Sequence, residues 1–263
     1  MDGHLRLNFS HHFEAVIWNM VVSPEADTLV LELRDLEKKE VRFSALDLRS
    51  NVFIWRDKGL DEPWWVNLSL IARGVLVFTV YMDTNNPDKK GVVACALGDL
   101  RPLWWNNDFS VATLGENEVS GFTSKFGLQQ IVLDIQTGQK RDGVREIQPI
   151  SIRGLQKPHQ YTEGSQYFET VKTFLLNQSN LSAVSALEYL ETDKIIVISG
   201  YVENQGAGDL ANFLIVLTRQ GEVLLKESLS PQVKGIGSDT FFLLGDLLLF
   251  VKNKTELVSY TIL

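Results

Sequence analysis

The chain has 263 residues, 44% of them hydrophobic, enough to bury a sizeable core in one large domain or two small ones. Twenty-five Lys and Arg stand against 33 Asp and Glu, and the resulting net charge of −8 disfavours nucleic acid as a partner, because an acidic surface repels phosphate. The single cysteine, Cys95, rules out an intramolecular disulfide and a cysteine-based metal site, and no apolar stretch is long enough to span a bilayer, so no membrane partner is expected.

The N-terminus, MDGHLRLNFSHHFEAVIW, has no uninterrupted apolar run behind a basic start, and the chain reads as cytoplasmic. Its odd positions Leu7, Phe9, Phe13, Ala15 and Ile17 are apolar among Arg6, Asn8, Ser10, His12 and Glu14, which is the period of a half-buried strand. Strand-like runs follow in order: DTLVLELRD, EVRFSALDL, GVLVFTVYMD, GVVACALGDL, LQQIVLDIQ, DKIIVISGYVE, NFLIVLTR, DTFFLLG and DLLLFVKN, most of them bounded by turn formers. Helical spacing is confined to Tyr167 to Gln178, where Phe168, Val171, Phe174 and Leu175 predict one helix.

A short pattern repeats along the chain: an apolar strand, a small or acidic residue, a tight polar turn, and a second apolar strand. It reads ALDLRSNVFIW from Ala45, ALGDLRPLWW from Ala96, VLDIQTGQK from Val132 and VLTRQGEVLL from Val216. The leucines that open these turns, Leu46, Leu97, Leu133 and Leu217, lie 51, 36 and 84 residues apart. The first two spacings suit one four-stranded propeller blade. The third is too long, and its excess coincides with residues 153–180, which hold the helical pattern and read as an insertion between blades.

The strings ALDLRSNVFIW and VLDIQTGQK resemble the blade ends of quinoprotein-type β-propellers, in which an Asp and a Thr-Gly or similar turn precede a strand carrying a Trp. The third repeat has Thr137 and Gly138 but lacks the terminal aromatic. The order of features through DTFFLLGDLLLFVKN is also similar to an uncharacterised bacterial family, known from Bacteroidetes, without assigned activity. The resemblance implies an architecture and brings no catalytic residue. The expected fold is therefore all-β, a single five-bladed β-propeller over residues 1–263. Its blades run from Trp18 to Trp55, Trp64 to Trp105, Phe109 to Ile152, Ala183 to Ser228, and from Val233 to the end. The last blade is one strand short, and Leu5 to Phe9 is expected to complete it. A β-sandwich with a small α+β piece is the alternative.

Two tryptophan pairs, Trp64-Trp65 and Trp104-Trp105, stand near Asp61, Glu62, Asn106, Asn107 and Asp108, a composition that can stack on and hydrogen-bond a sugar if the indoles reach a loop rim. The bland expectation is that they fill gaps between blades. WWNND at Trp104 to Asp108 resembles the Trp-Asn-Asp stretch of fructan-cleaving propellers, but FSV stands where Pro-Asn-Gly would follow. Cleavage would need two facing carboxyls, for which Asp61, Glu62, Asp83, Asp108, Glu203 and Asp239 are the loop candidates. His11 and His12 point to opposite faces of one strand, and DTNNPDKKG from Asp83 lacks the rhythm of a calcium loop, so no metal or other cofactor is expected. ENQGAGDL from Glu203 has neither the Lys-Ser/Thr nor the following helix of a phosphate loop. The insertion carries His159, Tyr161, Tyr167 and Phe168 and could present a binding surface or cover blade edges. The expected role is a non-enzymatic propeller that binds a protein partner. The alternative is a glycan-binding or glycan-cleaving propeller using the paired tryptophans and loop carboxylates.

Overall fold

The computed structural model describes residues 4–123, 127–142, 147–204 and 209–263. The chain opens with β1 (Leu5–His12), then forms a first antiparallel sheet from β2 (Val16–Val22), β3 (Thr28–Asp35), β4 (Glu40–Asp47) and β5 (Val52–Lys58). A second sheet takes β6 (Val66–Ala72), β7 (Val75–Tyr81), β8 (Lys90–Ala96) and β9 (Pro102–Asn106), and a third β10 (Ser110–Leu114), β11 (Glu118–Thr123), β12 (Gln129–Asp134) and β13 (Lys140–Arg141). Short strands β14 (Leu155–Gln156) and β15 (His159–Thr162) precede helix α1 (Gln166–Ser179). The remaining strands are β16 (Val184–Glu191), β17 (Ile195–Glu203), β18 (Leu210–Thr218), β19 (Val223–Val233), β20 (Phe241–Leu244), β21 (Leu247–Lys252) and β22 (Glu256–Ile262). Strands β15 to β19 form a fourth sheet in sequence order, and the fifth is ordered β1-β22-β21-β20-β14. Among the described residues the chain is thus all-β with one helix. Among the described residues no helix is long and apolar enough to cross a membrane.

Contacts divide the chain into two compact units, one of residues 14–153 with the first three sheets, the other of residues 1–13 and 154–263 with the last two. Within each unit the sheets pack face to face, so an interior strand buries both faces and reads as a continuous apolar run instead of an alternation. In β7, Leu76 and Phe78 join a core with Val30, Phe43, Trp55 and Leu68, while Val75 and Val77 join another with Trp104, Phe109, Val119 and Leu133. In β18, Leu214 and Val216 pack with Phe241, Leu248 and Phe250 of the fifth sheet, and Phe213, Ile215 and Leu217 face Phe168 and Leu175 of α1. Ser165 caps the helix by accepting from the Phe168 amide, and Asn180, left-handed at φ 57°, ends it.

The first strand pairs with the last, from Leu5 opposite Ile262 to His12 opposite Glu256. The N-terminal alternation, expected to run unbroken to Ile17, stops at Phe13: β1 and β2 belong to different sheets, and a bulge between Leu7 and Phe9 turns Leu7 outward while Phe9 stays buried. Residues 153–180 supply β14 and β15 as edge strands to the fifth and fourth sheets, as well as α1, which extends one residue beyond each end of the predicted helix. Within ENQGAGDL, residues 205–208 lie outside the described part of the chain.

The repeated turn has a local cause. Asp47 Oδ1 accepts from the Arg49 and Ser50 amides and the Ser50 hydroxyl; Asp134 Oδ1 accepts likewise from Gln136, Thr137 and the Thr137 hydroxyl. Four residues after the last residue of the preceding strand, Asp47, Ala96 or Asp134, the backbone is left-handed in all three repeats of this unit, at Asn51 (φ 58°), Leu100 (φ 66°) and Gly138 (φ 69°). Asn and Leu adopt that conformation here, so φ alone does not demand glycine at 138. Trp104 does: a Cβ on Gly138 would sit 2.5 Å from its indole. The same indole donates from Nε1 to the Ile135 carbonyl at 2.9 Å, and Trp55 donates to Leu97 O at 2.6 Å. The outer-strand tryptophans of the first and second sheets each dock onto the turn of the next sheet.

Candidate functional site

The first strands of the three sheets in the unit of residues 14–153 share an irregularity. In β2, Trp18 is extra between Ile17, opposite Leu33, and Asn19, opposite Glu32. In β6, Ser69 is extra between Leu68 and Leu70, and in β10, Ala112 is extra between Val111 and Thr113. Such a bulge re-aims the side chains around it. A cavity of about 400 Å³ opens beside these bulges, lined by Trp18, Asn19, Glu32, Asn67, Leu68, Ser69, Thr79, Tyr81, Lys90 and Val111.

Its wall is built around a buried ion pair. Glu32 and Arg34 are two apart in β3, so both project from the face that carries Val30, toward β6. The β6 backbone has a strand partner on one side only, and side chains of the first sheet satisfy its free edge. Glu32 Oε2 accepts from Leu68 N at 2.8 Å, Asn19 Nδ2 donates to Leu68 O at 2.9 Å, and Arg34 donates to Val66 O at 2.7 Å. Arg34 also bonds Glu32 Oε1 at 2.7 Å, Asn67 Oδ1 at 2.6 Å and Trp64 O at 3.3 Å. Its guanidinium lies 4.9 Å from the Trp64 ring centroid and 5.4 Å from that of Trp18. Both charges are thus paired and hydrogen-bonded, the condition under which burial is tolerated. Asn67 Nδ2 donates to the Tyr81 hydroxyl at 3.2 Å, the Ser69 and Thr79 hydroxyls share a bond at 2.9 Å, and Lys90 Nζ stands 5.6 Å over the Tyr81 ring.

The tryptophans singled out in the sequence separate. Trp64 is half-buried against Arg34, and Trp104 is buried at the dock on Gly138, so these two indoles are packed. Trp65 and Trp105 are 43% and 68% exposed. Trp65 immediately precedes β6 and Trp105 lies in β9, the two edge strands of the second sheet, so β7 and β8 stand between them and they form no common platform. Asn106 Oδ1 accepts from the Asp108 amide, closing the turn after β9. His159 is exposed on β15 opposite Tyr189, while Tyr161 stacks on Tyr167 at 5.4 Å. Among the carboxylates, Glu62 accepts from the Trp64 and Trp65 amides, Asp83 pairs with Lys89 and Asp239 with Lys157, so each is held in a turn or surface ion pair. Cys95 is fully buried and its thiol is pushed up to about 11 by that burial, the reverse of an activated nucleophile.

Glu32, Arg34, Asn19, Asn67, Ser69, Thr79, Tyr81, Lys90 and Trp18 were not candidates in the sequence. The available signal was the ELR of DTLVLELRD: two opposite charges on one face of an otherwise apolar strand. Two further cavities carry less chemistry. One of about 610 Å³ is lined by turn residues including Pro24, Glu116 and Pro149, and one of about 310 Å³ in the other unit by Thr192, Lys194 and Asp246 among others. That other unit also buries Glu188, which accepts from the amides of Asp239 and Thr240 and from the Thr240 hydroxyl and so pins the start of β20.

A family model described as a domain of unknown function, DUF4905, matches residues 22–104. No curated protein matches the chain. Among solved structures, it is similar to the β-propeller domain of the Trilobed protease from Pyrococcus furiosus, with 9% identity, TM-score 0.35, and 91% of this chain covering 65% of that one. It is also similar to the Pyrococcus horikoshii acylaminoacyl peptidase (10% identity, TM-score 0.33, 90% of this chain and 36% of that one). A third is the AtxE2 isopeptidase (9% identity, TM-score 0.41, 94% and 48%). The chain spans less than two thirds of the length of each.

Proposed function

We propose that the chain is a β-propeller binding protein without catalytic activity, its five sheets serving as blades and the pairing of β1 with β22 closing the last of them. What carries the binding reading is the cavity beside the Trp18, Ser69 and Ala112 bulges, where inner strands of successive sheets converge and polar side chains line a seat of ligand size. The buried Glu32–Arg34 pair holds that wall in place before any ligand arrives, which lowers the entropy cost of binding. Three of the six loop carboxylates considered for sugar cleavage, Glu62, Asp83 and Asp239, are engaged in turns and ion pairs, which favours binding over hydrolysis.

A thermal-shift screen of mono- and disaccharides and small organic acids tests the seat. A ligand at ten times its Kd adds about 1.4 kcal/mol and raises the melting temperature by a few degrees. Ser69→Phe, which fills the cavity from the bulge, is expected to abolish that rise. A rise that survives both Ser69→Phe and Trp18→Ala places binding elsewhere and defeats this reading. A second reading, docking of a protein partner, draws on the outer strands, where Val52 and Ile54 of β5 and Leu103 and Trp105 of β9 are exposed.

A further inference from the structure

We infer that the cavity beside the bulges takes a small hydroxylated carboxylate of the sugar-acid class. The inference rests on the binding reading above and supplies its ligand chemistry.

Glu32 spends one oxygen on Arg34 Nε and the other on the Leu68 amide, and Arg34 answers with bonds to Glu32, Asn67 and two carbonyls, so both charges are balanced within the protein. Asn67 Oδ1 is taken by Arg34, and Asn19 Oδ1 by the Met20 amide at 2.8 Å. Every carboxylate and amide side-chain oxygen of the wall is therefore already engaged by one donor.

The donors are not. Lys90 makes no ion pair among the described residues, and its Nζ lies 5.6 Å over the Tyr81 ring. The Tyr81 hydroxyl accepts from Asn67, which leaves its own hydrogen to donate. Ser69 and Thr79 share one hydrogen bond between two hydroxyls, so one further hydrogen is left over. One ammonium and two hydroxyl hydrogens facing a cavity whose carboxylate and amide oxygens are each already engaged call for an anionic, oxygen-rich ligand. A single unbalanced cation matches the single charge of a carboxylate. A phosphate monoester carries nearly two charges and is usually held by more than one cation or by an arginine fork. Trp18, 58% exposed at its bulge, adds a flat apolar face for the C–H side of a sugar ring.

Titration calorimetry and tryptophan fluorescence of the full chain with glucuronate, glucose and glucose 6-phosphate test the inference. Glucuronate is expected to bind at least about tenfold more tightly than glucose. Lys90→Gln is expected to remove that margin without moving the melting temperature. Equal affinities for glucose and glucuronate, tighter binding of the phosphate, a Lys90→Gln variant within twofold of wild type, or no binding of any probe at millimolar concentration each overturn the ligand class. The seat itself is judged separately by Ser69→Phe and Trp18→Ala. If both leave glucuronate binding intact, the binding reading falls along with its ligand.

Discussion

Gly138 and Trp104 show at single-residue scale how a sequence can state a position without its reason. The Thr-Gly of VLDIQTGQK is recognisable as a turn, but Asn51 and Leu100 hold the same left-handed backbone, so the glycine answers to an indole 34 residues earlier. Gly138→Ala is expected to cost about 2–4 kcal/mol, combining steric overpacking with left-handed strain. Asn51→Ala, where the strain alone applies, is expected to cost about 1–2 kcal/mol. Urea unfolding midpoints at constant m-value check both, and equal losses would show that the indole contact contributes nothing. The Glu32–Arg34 pair was visible in the sequence only as two charges in a strand. What they bind, the free edge of β6, lies more than 30 residues away and leaves no local trace.

At the scale of elements, strand existence and the Asp-led turns were legible because their causes are local: apolar runs, and a carboxylate that bonds the amides two and three residues on. The bulges at Trp18, Ser69 and Ala112 were not, since an extra residue is defined only against the partner strand, and with them the candidate seat went unseen. The pairing of β1 with β22 was legible through a deficit, three strands at the C-terminal end and one spare at the N-terminal end. Removing residues 1–10 is expected to expose the edge of β22, lose the burial of Phe9, worth about 1.5–3 kcal/mol, and lower the melting temperature while promoting association. Adding the peptide LRLNFSHH is expected to restore part of the loss. An unchanged melting curve for the truncated chain would show that β1 contributes no stability.

At the scale of the whole molecule, the recurring turn aspartates make stability a function of acidity. Asp134 is lowered from 3.8 to about 2, chiefly by the Arg141 side chain and then by the Thr137 and Gln136 donors acting against partial burial. Asp35, Asp47 and Asp83 are lowered too, each foremost by a backbone amide, from Lys38, Ser50 and Asn85 respectively. A carboxylate whose folded value lies below its unfolded one stabilises the fold fully above the unfolded value and loses that contribution as pH falls through the folded one. Stability is therefore expected to hold above about pH 4 and decline toward pH 2, with Asp134→Asn flattening part of the decline. Melting temperatures across that range check the sign; a flat profile would show that these turns carry no linkage.

The union of β1 with β22 also orders events during synthesis. β1 leaves the ribosome first and β22 last, roughly 240 residues later, or about 12–50 s at the usual 5–20 residues per second. Throughout that interval the segment LRLNFSHH has no partner of its own, and each sheet completed in the meantime presents it with foreign edges. Arg6 places a charge on the same strand. That charge disfavours pairing with a foreign edge while β22 is still unmade.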